Sequence, residues 1–96
     1  MQVSLYKALM TLPRVFMQKQ LILLGTKGCH LCEDAEQLLQ ELNLPYQYLD
    51  IIDDEKLLQR YEISIPVLLF TSTDNTNELC WPFNTEMISH WLKHNE

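Results

Sequence analysis

Cys29 and Cys32 stand three residues apart in "GCHLC" (28–32), and a third cysteine, Cys80, lies far downstream. A pair at this spacing supports three kinds of chemistry. It can exchange disulfides, one thiolate attacking a sulfur and the second thiol displacing the product. It can supply half of a tetrahedral zinc site. Or it can be two small apolar residues at a helix start, since cysteine is readily buried. His90 and His94 complete a C-x2-C and H-x3-H set, but about 57 residues separate the pairs, against roughly 12–15 in a finger. Glu33 directly after the second cysteine excludes a c-type haem attachment motif.

The surrounding elements decide how the pair is held. "LILLGT" (21–26) is a short continuous apolar run closed by Gly25 and predicts a buried strand. After the cysteines, Leu31, Ala35, Leu38, Leu39 and Leu42 recur on one face of a helix, with Glu33, Asp34, Glu36, Gln37, Gln40 and Glu41 on the others. "NLP" (43–45) stops that helix, because proline disfavours helical geometry at the residue before it. "YQYLDI" (46–51) alternates as a strand and completes a βαβ unit with parallel strands. "DDEKLLQRY" (53–61) predicts a short helix capped by Asp53 or Asp54. "PVLLF" (66–70) predicts a central strand covered on both faces. "TSTDNTN" (71–77) is a turn cluster, and "ELCW" (78–81) a strand returning antiparallel. Asn84 or Thr85 caps a last helix with a buried stripe of Met87, Ile88, Trp91 and Leu92. The order is β-α-β-α-β-β-α, an α/β sandwich around a four-stranded mixed sheet.

In this frame Cys29 falls at a helix N-terminus, where free N–H groups and the dipole favour an anion. A thiolate there has its pKa lowered from the free value of about 8.5. Lys27 and His30 add positive character beside it, and His30 is the candidate tuning residue. Cys32 lies one turn on, more deeply placed and within reach of the Cys29 sulfur. The spacing therefore divides the labour between an exposed nucleophile and a shielded resolving thiol. Asp50, near the end of the second strand, is either a buried proton acceptor for Cys32 or a solvated strand-end acid. Cys80, between Leu79 and Trp81, reads as a buried structural thiol, and Trp81 and Trp91 as packing residues. His90 and His94 fall off the apolar stripe of the last helix and read as solvated.

Composition narrows the function classes. Ninety-six residues, 47% apolar, suit one small domain with a modest core. Three cysteines do not form a fully paired framework, and the aliphatic content makes staples unnecessary, which points to a reducing, cytoplasmic setting. The net charge is −6; residues 1–20 carry Lys7, Arg14, Lys19 and no acid, so the remainder carries −9. So acidic a domain repels a phosphate backbone, and no nucleic-acid partner is expected. No apolar run reaches the roughly 18 residues of a membrane span. In "MQVSLYKALMTLPRVFMQKQ" (1–20), Lys7 and Pro13 interrupt the apolar runs, against an export signal. Residues 1–18 are expected to be an N-terminal extension, flexible or loosely docked, with the domain spanning 19–96. Met17 is a second candidate for its start.

"TKGCHLC" after a strand, the βαβ unit, and then "YEISIPVLLF" together resemble the glutaredoxin branch of the thioredoxin-like fold over about residues 20–95. In that family a proline opening the third strand is cis and faces the dithiol, and Pro66 matches it. The resemblance implies a small thiol–disulfide oxidoreductase with Cys29 as nucleophile and Cys32 as resolving thiol. It implies that Ile65 offers backbone hydrogen bonds to a substrate peptide, with Pro66 and Lys27 completing the substrate-binding set. No metal or organic cofactor is expected. The implied partners are a disulfide-containing protein or small molecule as substrate, and glutathione or a thioredoxin-type reductase as electron donor.

The sequence also departs from the family pattern. Ser64-Ile65-Pro66 replaces Thr-Val-Pro, His-Leu replaces the Pro-Tyr type between the cysteines, and "CWPFNTE" (80–86) stands where glutaredoxins carry the Gly-Gly pair that admits glutathione. The thioredoxin Trp-Cys-Gly-Pro-Cys signature is absent as well. These departures motivate a second reading, a non-catalytic binding module or a metal-binding protein using Cys29 and Cys32.

Overall fold

The computed structural model of the protein describes residues 19–72 and 75–95. The expected N-terminal extension over residues 1–18 lies outside the described residues. The chain forms β1 (Gln20–Gly25), α1 (His30–Glu41), β2 (Gln47–Asp50), a 3-10 turn (Ile51–Asp53), α2 (Glu55–Tyr61), β3 (Val67–Thr71), β4 (Thr76–Cys80) and α3 (Thr85–His94). The strands lie in the order β2-β1-β3-β4. β1 and β2 are parallel, with Gly25 level with Asp50. β1 and β3 are antiparallel, with Leu24 opposite Val67, and β3 and β4 are antiparallel, with Val67 opposite Cys80.

Alternation along the two central strands builds a core on each face of the sheet. Leu21, Leu23 and Leu68 pack with Ala35 and Leu39 of α1, Ile88 of α3 and Phe83. Leu24 and Val67 point the other way, against Ile51 of the 3-10 turn and Tyr61 of α2. Among the described residues no helix is long and apolar enough to cross a membrane.

Local signals set the element ends. α1 stops at Leu42, where Asn43 turns left-handed at φ 55°, a conformation that asparagine tolerates better than most side chains. The Leu44 N–H then closes back on the Leu39 carbonyl at 3.1 Å. Asp54 rather than Asp53 caps α2, accepting from the N–H groups of Lys56 and Leu57 at 2.9 and 3.2 Å. Asn84 rather than Thr85 caps α3, accepting from the Met87 N–H at 2.8 Å. The expected 53–61 helix is therefore a seven-residue helix from Glu55, with a 3-10 turn over Ile51–Asp53 before its cap. The hairpin turn is tighter than "TSTDNTN" implied, because β3 runs to Thr71 and β4 begins at Thr76.

Three expected core positions are corrected. Cys80 is exposed, because β4 is the edge of the sheet and the helical layers leave it uncovered. Met87 is 44% exposed while Ile88 is fully buried; one helical step of about 100° carries Met87 past the rim of the stripe. Leu31 is also 44% exposed, while Cys32 beside it in the first turn of α1 takes the place against Gly25 of β1.

Ile88→Ala is expected to cost about 2–5 kcal/mol in urea unfolding, whereas Met87→Ala should cost only about 0.5 kcal/mol. Equal losses would contradict this placement of the stripe.

Candidate functional site

β1 ends at Gly25, and the turn Thr26–Lys27–Gly28 leads into α1. The Cys29 N–H closes the turn on the Thr26 carbonyl at 3.2 Å. Gly28 has φ +84° with open space where a Cβ would stand, so glycine serves the left-handed backbone here rather than a close contact.

Asp50, adjacent on β2, clamps this turn. Its carboxylate accepts from the Thr26 hydroxyl at 2.8 Å and from the Lys27 N–H at 3.2 Å, and from the Ile52 N–H at 3.0 Å. The Ile52 N–H is the largest influence holding the Asp50 pKa below the ordinary carboxylate value, and Thr26 and Lys27 add to it against the effect of desolvation. Of the two expectations for Asp50, the buried proton acceptor is thus set aside. The group is half-exposed, ionised and committed to the turn.

Cys29 is the N-cap of α1. Its Sγ accepts from the Cys32 N–H at 3.1 Å, and its carbonyl accepts from the Glu33 N–H at 3.1 Å. The two sulfurs are joined in a disulfide, with Cα atoms 5.2 Å apart, inside the usual range. Cys29 is half-buried and Cys32 is 1% exposed. Chemical access is therefore unequal within one bond: reagents approach Cys29, while Cys32 sits under the helix.

Continuing the β1–β3 register one step places Gly25 level with Pro66, so the dithiol turn and the proline lie at the same end of the sheet. The Ile65–Pro66 bond is cis, as is Trp81–Pro82. Pro66 is buried and its carbonyl accepts from the Trp81 N–H at 3.2 Å. The Ile65 N–H is already bound to the Tyr61 carbonyl at 3.1 Å. This corrects the expectation that Ile65 offers a backbone pair: only its carbonyl is without a partner among the described residues. Tyr61 itself is tied to β4. Its hydroxyl donates to the Glu78 carboxylate, accepts from Arg60 Nε at 3.1 Å, and Arg60 lies 3.6 Å from Glu78.

The remaining candidates fall into place around this centre. The His30 side chain is almost wholly exposed and lies 3.8 Å from Glu33, pointing away from the sulfurs' buried side. The Lys27 side chain is exposed beside the turn. His90 and His94 stack at 4.3 Å on the outer face of α3. Among the described residues they are not gathered with Cys29 and Cys32 into a cluster that could hold a metal.

Residues the sequence reading passed over also matter. Phe83 is buried in the core, with Trp81 edge-on to it at 4.9 Å. Within "CWPF", Phe83 thus turns inward and Trp81 packs on it, while Cys80 and Pro82 stay exposed. Tyr46, just before β2, and Tyr48 within it lie near α1, the Tyr46 hydroxyl donating to Glu36 at 2.6 Å. A recurrent tyrosine on alternate strand positions was the only available signal for these.

Comparison with known proteins agrees with this geometry. A family model described as "Glutaredoxin-like domain (DUF836)" matches residues 20–93. The chain belongs to the glutaredoxin-like family. Among solved structures, this glutaredoxin-like domain is similar to protein XcR50 from X. campestris, at 31% identity over 77% of this chain and 96% of that one, with a TM-score of 0.68. It is also similar to protein Ne2328 from Nitrosomonas europaea, at 26% identity over 77% and 91%, with a TM-score of 0.64. The thioredoxin Deadhead from Drosophila melanogaster shares the fold at 13% identity over 97% and 92%, with a TM-score of 0.66. No curated protein matches the chain. The glutaredoxin-like domain therefore has a thioredoxin fold, with its cysteine pair bonded at the end of β1.

Because Asp50 has a lowered folded-state pKa, its stabilisation is present above the ordinary carboxylate value of about 3.9 and is lost as pH falls through the depressed value. Asp50→Asn should lower the melting temperature at neutral pH, and its gap from wild type should narrow below about pH 4. A gap of constant size down to about pH 2 would remove Asp50 from the clamp.

Proposed function

We propose that the chain is a thiol–disulfide oxidoreductase working through Cys29 and Cys32. The observation that carries this reading is the bonded pair at the start of α1, one sulfur accessible and the other buried. In the reduced protein the N-terminus of α1 favours the Cys29 thiolate. That thiolate attacks one sulfur of a substrate disulfide; a Cys29–substrate bond forms, and the other half leaves as a thiolate that takes a proton from water. Cys32 then gives up its proton and attacks Cys29 Sγ, expelling the second half and leaving Cys29–Cys32 oxidised. The substrate gains two electrons and the dithiol loses two.

The substrate is a disulfide in a protein or small molecule, with Ile65, Pro66 and Lys27 as its contacts. The unpartnered Ile65 carbonyl supports one backbone hydrogen bond to an extended peptide. Leu31 at 44% exposure beside Cys32 in the chain and Ile63 at 94% in the segment before Pro66 offer apolar contact, which favours a polypeptide substrate. Glutathione or a thioredoxin-type reductase restores the dithiol. The inward-packed Trp81–Phe83 segment takes up the region where glycines admit glutathione in the wider family, which favours the reductase. The setting is cytoplasmic, and no cofactor is required because the electrons reside in the sulfurs.

Titrating Cys29 alkylation against pH should give an apparent pKa below the free value of about 8.5, and the chain should accelerate reduction of insulin by a dithiol. Cys29→Ser should abolish that activity, and Cys32→Ser should accumulate the mixed disulfide. An activity no greater than that of Cys29→Ser would overturn the reading, as would stoichiometric zinc in the purified protein.

A further inference from the structure

The resolving step needs a proton to leave Cys32, yet Cys32 is 1% exposed and Asp50 is occupied by the turn it clamps. A group for this proton stands on β2. A Cβ built on Gly25 would lie 2.8 Å from the Tyr48 hydroxyl oxygen and 3.0 Å from Cys32 Sγ. The phenol oxygen and the sulfur thus both border the small space over that glycine, and any larger residue at position 25 would displace them. Among the described residues the Tyr48 hydroxyl has no hydrogen-bond partner, unlike those of Tyr46 and Tyr61. Tyr48 also lines an open pocket of about 350 Å³ together with Lys27, Glu33, Glu36 and Asp50.

The geometry points to Tyr48 as the proton relay between the buried Cys32 thiol and solvent, an inference that rests on the redox reading above. As Cys32 attacks Cys29 Sγ, its proton passes to the Tyr48 oxygen while the phenol's own proton passes to water in the pocket. The Sγ29–Sγ32 bond forms, the Cys29–substrate bond breaks, and the departing thiolate is protonated from solvent. Tyr48 ends as it began. On reduction of the disulfide the relay runs backwards and protonates Cys32 as it leaves. A relay does not require an ionised phenol, which matters here. Desolvation, and then the carboxylates of Asp50, Glu36 and Glu33, raise the Tyr48 pKa and keep the hydroxyl protonated. Those carboxylates, from β2 and α1, and Lys27 from the turn are the charged groups of the described residues that line the space around it.

An aromatic disulfide with a coloured leaving thiol separates the steps. In full-length protein carrying Cys80→Ser, which removes the exposed thiol, the first equivalent is released by Cys29 at a rate proportional to reagent. The second is released by Cys32 in a first-order step. Tyr48→Phe keeps the ring and should leave the first rate unchanged. It should slow the second by on the order of 10- to 100-fold, the lower part of what positioned proton transfer contributes, and added imidazole buffer should recover it. An unchanged second rate overturns the relay, and so does a slowed rate that buffer does not recover, since that marks a packing role. Absence of both release phases before any change at Tyr48 overturns the redox reading itself.

Discussion

The antiparallel pairing of β1 with β3 is the constraint on which the site depends. Both strands are fully buried near their ends, at Leu23, Leu24, Val67 and Leu68. A slip of one residue would turn every one of these side chains to the wrong core. With Leu24 held opposite Val67, the chain leaving β1 and the chain entering β3 must emerge together. One becomes the cysteine turn and the other arrives through Pro66. The core thus sets the distance between the sulfurs and the proline ledge without any direct bond between them.

Polar contacts then refine what packing has brought together. Asp50 spends its carboxylate on the turn before Cys29 and on the 3-10 turn that follows it, so one side chain couples β2 to the start of α1. On the far face Tyr61 connects the proline loop to edge strand β4 through Glu78. Its carbonyl holds the N–H groups of Ser64 and Ile65 at 2.8 and 3.1 Å. Each flank of the site is therefore tied to the sheet by one polar residue, and the dithiol itself is left free for chemistry.

The segment at 80–84 adds aromatic packing to one of the two cores. Phe83 enters the core beside Leu23 and Ile88, and Trp81 stacks edge-on against it. Aromatic burial of this kind is worth more than the flexibility of a glycine pair to a domain of this size, whose core is small. Charge of both signs gathers beside the turn, where Glu33 and Glu36 of α1, Asp50 of β2 and Lys27 line one pocket.

The sequence alone determined the order of elements and the position of the cysteine pair at the start of α1. These rest on local signals: an unbroken apolar run, a helical stripe, a cap, and a motif at fixed spacing. It also carried enough of the family pattern to place the chain correctly. What it left undecided were quantities that depend on neighbours distant along the chain. The two candidate roles of Asp50 were separable only by seeing which N–H groups it meets. Cys80 looked buried because its sequence neighbours are apolar, but strand order puts it on an edge. The Ile65 N–H was committed by the carbonyl of Tyr61, and Tyr48 gained significance only when the fold laid it across Gly25 from Cys32. Periodicity reports which face a residue is on; only the tertiary structure decides what stands opposite, because burial and hydrogen bonding are properties of pairs.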